Sequence, residues 1–111
     1  MTSKEQTLKL KEEREKFLNQ AKIRLKNLKK MRADISAGKN YASKKIQREI
    51  DDWFVRLDIN ISLAGTEVEL IESSAGKKWK KICSRAEEAI ASAEREIKRG
   101  YEILKTNTPA A

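Results

Sequence analysis

Side chains able to do chemistry are few in this chain. It has one cysteine, Cys83, and no histidine, so a Ser-His or Cys-His pair cannot be built and a zinc site lacks its usual ligands. Cys83 lies beside Ile82 and is expected to be a buried thiol with no redox role, since a reactive one needs exposure and a depressed pKa. Asp51 and Asp52, like Glu87 and Glu88, are adjacent acids. On a helix such neighbours point about 100° apart, which is poor geometry for paired-carboxylate work. Gly38-Lys39 and Gly76-Lys77 lack the remainder of a phosphate-binding loop. An all-helical enzyme restricted to Arg, Lys and Glu would have to begin from Arg24 and Arg32, held together in an interior cavity. The expectation is a non-enzymatic protein with no cofactor, no metal and no small-molecule substrate.

Charge is the more informative signal. The chain carries 25 Lys and Arg against 17 Asp and Glu, for a net +8. Residues 1 to 36 hold 11 bases and 5 acids, residues 37 to 75 hold 5 and 7, and residues 76 to 111 hold 9 and 5, giving +6, −2 and +4. Between residues 16 and 33 there are seven bases, among them Lys26, Lys29, Lys30 and Arg32, and no acid. Such a face attracts nucleic-acid phosphate, anionic lipid or an acidic protein surface through a salt-screened Coulomb interaction, or simply stays solvated. The run Lys77-Lys78-Trp79-Lys80-Lys81 opens a helix, where lysines oppose the macrodipole by about 0.3–1 kcal/mol each. Glu67, Glu69 and Glu72 across the preceding turn are the expected compensation. A bound anion with Trp79 stacking on a base is the alternative, although Trp79 also continues an apolar stripe.

The elements that must position these groups read as helices. With four glycines, one proline and 38% charged residues, the composition favours helix over sheet. Phe17, Leu18, Ala21, Leu25, Leu28, Met31 and Ile35 fall within an arc of about 140° at ~100° per residue. Ile46, Ile50, Trp53, Leu57, Ile61, Ala64, Val68 and Ile71 repeat in steps of three and four, and so do Trp79, Ile82, Ala86, Ile90, Ala93, Ile97, Tyr101 and Leu104. Trp53 and Phe54 read as core. The tetrapeptide Ser-Ala-Gly-Lys stands at 36–39 and again at 74–77 and marks the turns. Glycine there suits a left-handed residue after a helix end, and Asn40 suits a cap.

The spacing thus predicts helices at about 4–36, 41–73 and 77–105, in an all-α, antiparallel up-down-up three-helix bundle. It forms a single domain over residues 1–105, followed by a short tail, 106–111. The expected architecture is similar to that of spectrin-type repeats and other three-helix domains of this length; no residue motif assigns the chain to a family. Two alternatives compete. Helices two and three could fuse through Gly76 into a helical hairpin with one long arm from about residue 41. Val55, Leu57, Ile59, Ile61 and Leu63 also alternate with polar residues, which is a strand pattern, and a hairpin through Leu70 would follow. Val55, Ile59, Leu63 and Leu70 lie off the main stripe, which a middle helix touching two neighbours, or a dimer contact, would explain.

In the bundle, sequence-distant bases gather near the Gly38 corner. Lys26, Lys29, Lys30, Arg32, Lys39, Lys44, Lys45 and Arg48, with Trp79, are the candidate residues for an anion or a partner. The leading functional expectation is a helical-bundle protein-protein interaction or assembly module, with a protein partner or self-association. The alternative is weakly sequence-selective binding of nucleic acid or an anionic membrane surface through the basic pole. No apolar run approaches the ~20 residues of a membrane span, and no signal-peptide stretch opens the chain. A cytoplasmic location is expected.

Overall fold

The computed structural model describes residues 3–74 and 78–106, with side chains over 8–74 and 78–105. Three helices account for them: α1, Ser3–Lys39; α2, Lys44–Ser73; and α3, Trp79–Thr106. The expected bundle is present. The strand alternative fails because Val55 through Leu70 is continuous helix. The fused-helix alternative fails at Ser74, where φ −83° and ψ 145° take the chain out of α2 while the Ser74 N–H bonds back to the Ile71 carbonyl.

Contacts between helices fix their directions. Lys22 meets Glu72, Arg32 meets Asp58 and Lys39 meets Asp51, so numbers rise on α1 as they fall on α2. Arg56 and Glu96, with Glu67 and Arg85, give the same antiparallel relation between α2 and α3. Arg24 against Glu87 and Glu94 runs α1 parallel to α3. The chain therefore goes up, down and up. It is long for its mass: the radius of gyration is 18.1 Å and the body measures 65 × 22 × 15 Å, against about 13 Å for a compact domain of this size. Helices of 37, 30 and 28 residues laid side by side, at 1.5 Å per residue, dictate that shape.

The core is one strip of apolar side chains along the common axis. Leu18, Ala21, Leu28 and Ile35 come from α1, Ile46, Ile50, Trp53, Leu57, Ala64, Val68 and Ile71 from α2, and Trp79, Ala86, Ile90, Ala93 and Ile97 from α3. Alanines at 64, 86 and 93 let α2 and α3 approach closely. Gly100 completes that seam, because a Cβ there would fall within 3 Å of three atoms of the Trp53 indole. The missing side chain lets the ring lie flat on α3 and donate its Nε1–H to the Glu96 carbonyl at 2.5 Å. Gly38 has a similar role at the other seam. It lies inside α1, with a Leu104 methyl 3.1 Å from where its Cβ would stand.

Several local expectations require correction. α1 runs three residues beyond its expected end, so Gly38 is a packing residue and not a left-handed terminator. α2 begins at Lys44, and its cap is Ser43 instead of Asn40: the Ser43 Oγ accepts the Ile46 N–H at 3.3 Å. Phe54 and Cys83 are half-buried and pack against the core edge. Tyr101, on the α3 stripe, is exposed. Gly76 and Lys77 lie outside the described residues, as does the tail beyond Thr106.

Candidate interaction surfaces

The nine candidate residues do not form one site. Trp79 is buried in the core at the bundle end opposite the Gly38 corner, so it is not available to stack on a ligand beside the basic group. Arg32 is committed to α2: its guanidinium donates from Nε to Asp58 Oδ1 at 2.7 Å and from the terminal nitrogen to Oδ2 at 2.9 Å. It also lies 4.4 Å above the centre of the Phe54 ring. The Asp58 hydrogen bonds raise the Arg32 pKa against the opposing effect of burial. Lys39 is paired with Asp51. Lys26, Lys29 and Lys30 are exposed on the outer side of α1, and Lys44, Lys45 and Arg48 on the first turns of α2.

Arg24 and Arg32 share no cavity. Arg24 turns to α3, bonding Glu87 at 2.6 Å and Glu94 at 2.5 Å, and those two carboxylates raise its pKa. One arginine therefore ties α1 to α3 and the other ties α1 to α2. Among the described residues, no three His, Cys, Asp or Glu side chains converge as metal ligands. The thiol of Cys83 is pushed up from 9.0, by burial first and by Glu87 second. A raised pKa leaves less thiolate, the nucleophilic form.

At the far end, the lysines that open α3 are compensated differently from expectation. Glu67 faces Arg85 at 3.4 Å and Glu72 faces Lys22 at 2.8 Å, while Lys80 lies 4.0 Å from Glu13 of α1. Among the described residues, the acid paired with this run is therefore Glu13 of α1, opposite Lys80; Lys77 lies outside them.

Two surfaces stand out that the choice of candidate residues did not include. Tyr41, in the turn between α1 and α2, is 91% exposed beside Lys44 and Lys45. The larger surface is on α2. Val55 is 61% exposed, Ile59 56%, Leu63 55% and Leu70 41%. At 100° per residue these four fall within an 80° arc on the side of α2 directly opposite Leu57 and the core. They form an aliphatic stripe about 22 Å long, with Ser62 and Thr66 between them. The middle helix does touch both neighbours, but through its flanks; neither neighbour covers this face. Their off-stripe positions were visible in the sequence, and their exposure required the third dimension.

No protein-family model, curated protein or solved structure matches this chain. Among the described residues no helix is long and apolar enough to cross a membrane.

Proposed function

We propose that this chain is a non-enzymatic protein-protein interaction or assembly module that docks through the outer face of α2. One observation supports the reading above all others: four aliphatic side chains in helical register, more than two-fifths exposed each, on an element already fully served by its inner face. Isolated exposed apolar residues are ordinary, whereas an aligned set on one surface marks a docking site. Recognition would be helix against helix, with anchors at spacings of three and four residues. A cytoplasmic location belongs to the same proposal, since a single thiol leaves no internal disulfide for an oxidising compartment to maintain.

A photoreactive amino acid at Ile59, introduced in cells, tests the reading. The expected result is a discrete cross-linked product, lost when Leu63→Lys is added, and no such product from the same group at Ser92 on α3. No product at Ile59 contradicts it.

A second reading is favoured by Tyr41. An almost fully exposed ring just before α2, whose first turns carry exposed Lys44, Lys45 and Arg48, would supply a stacking surface and cations for weakly sequence-selective nucleic-acid binding. Titration with single-stranded and duplex nucleic acid at two salt concentrations tests it, with Tyr41→Ala as the variant and anionic vesicles as the control for lipid. Salt-sensitive binding to single strands that falls in Tyr41→Ala supports this reading, and no binding at low salt removes it.

A further inference from the structure

The bases of α1 divide into two sets once the helices are packed. Lys22 bonds Glu72, Arg24 bonds Glu87 and Glu94, and Arg32 bonds Asp58, so the cations turned toward α2 and α3 already have their counter-charges. Lys16, Lys26, Lys29 and Lys30 are exposed and make no hydrogen bond or ion pair among the described residues. We propose that this free set makes the outer face of α1 a second interaction surface, and that its ligand is the phosphate backbone of double-stranded nucleic acid. The surface lies on a different element from the α2 stripe and from the Tyr41 turn, and it stands without either.

The face has a definite composition. At 100° per residue, Lys16, Lys26 and Lys30 fall within an arc of about 80° on the side opposite the buried Ala21 and Leu28. They spread along about 21 Å of helix. Asn19, Gln20 and Asn27 share that side and are exposed; their amides add uncharged donors to phosphate oxygen. No acid occurs from residue 16 to residue 33, and the first ones met are Glu15 and Asp34. On α3, Lys98 lines the open groove beside Met31 and is also unpaired among the described residues. Such a row can replace the counterions condensed on a polyanion, which is the favourable contribution in phosphate binding.

The same composition selects among polyanions. A lipid surface is held by cations beside an apolar face that enters the headgroup region. The apolar face of α1 is buried in the core, which leaves Ile23 as the large aliphatic side chain exposed among these lysines. Single strands are held by stacking on aromatic rings, and the ring within residues 16–33, Phe17, packs against the core. A protein partner needs a central cluster of apolar or aromatic anchors, which one isoleucine does not make. Duplex phosphate needs only the cations and donors. Contacts to phosphate carry no sequence information, so the binding is unselective in sequence.

Titration of the purified full chain with a short DNA duplex tests this. Three phosphate contacts predict a loss of affinity of about 40-fold between roughly 50 and 200 mM salt. The triple variant Lys16→Gln, Lys26→Gln, Lys30→Gln is expected to bind at least about ten-fold more weakly at low salt and to lose most of the salt dependence. Its helical circular dichroism is retained, because the three side chains are exposed and glutamine forms helix about as well as lysine. Lys78→Gln, Lys80→Gln, Lys81→Gln removes the same charge from the start of α3 and is expected to leave most of the affinity. Equal weakening in the two triple variants overturns the proposal, since net charge alone then explains the binding, and so does no binding at low salt. Phosphatidylserine vesicles, single-stranded DNA and polyglutamate are the other arms; any of them bound as tightly as the duplex overturns the assignment of the ligand. Tyr41→Ala is expected to keep the parent's duplex affinity. A loss there, with the α1 triple variant unaffected, assigns the binding to the Tyr41 turn and overturns the α1 site.

Discussion

The two faces of α2 are built from the same kinds of residue and do opposite things. The inner face, Ile46 to Ile71, is buried in the common core, with Trp53, Ile50 and Leu57 fully sequestered. The outer face, Val55 to Leu70, offers aliphatic side chains of similar size to solvent. Apolar content alone therefore does not locate the core. What separates the faces is complementarity: the inner stripe meets Ala86, Ala93 and the bare backbone of Gly100 on α3, while the outer stripe is left about half exposed by the described residues. Truncation should cost folding stability on one side and association on the other.

The largest effect is expected from Trp53→Ala, which removes a fully buried ring and its bond to the Glu96 carbonyl. A loss of about 3–5 kcal/mol in denaturant unfolding is expected. A smaller loss would mean that the seam collapses around the cavity. Gly100→Ala comes next. Alanine favours helix by about 1 kcal/mol in general, but here its methyl must displace the indole, so a net loss of about 1–3 kcal/mol is expected. A stabilised variant would show that the close approach of Trp53 to α3 is wrong.

On the outer face the comparison inverts. Ile59→Lys with Leu63→Lys should leave unfolding of the dilute monomer within about 0.5 kcal/mol of the parent, as exposed substitutions usually do. A loss comparable to Trp53→Ala would place these residues in the core. The smallest effect concerns Cys83. Its folded pKa is raised above 9.0, so its contribution to stability is complete below that value and is lost as pH rises through the higher folded one. Alkylation of the native thiol at mildly alkaline pH should accordingly be slower than that of the unfolded chain. Equal rates would contradict the burial that raises it.

Much of the architecture was legible in the sequence because periodicity carries it. The three-four stripes of Ile46 to Ile71 and of Trp79 to Ile97 name most of the core, and the strand pattern at Val55–Leu63 lost to the longer helical register around it. The helix ends were less legible. Ser43 and Asn40 are both acceptable caps, and the packing of Gly38 beneath Leu104 carries α1 past the expected turn. The basic pole was the least legible. Counting charges cannot show that Arg32 and Lys39 are consumed by Asp58 and Asp51, since those partners lie 26 and 12 residues away. Nor can it show that Trp79 points inward at the far end. The four outer residues of α2 were noticed as off-stripe, yet their freedom from cover depends on where α1 and α3 finally lie.

Photocrosslinking from Ile59 in cells, run beside the same probe in a Leu63→Lys background, tests the central claim most directly. We expect a discrete cross-linked product from the first and none from the second, with the helical circular dichroism of the purified Leu63→Lys chain intact. No product from Ile59, or one that persists unchanged with Leu63→Lys, would contradict the assignment of α2's outer face as a docking surface.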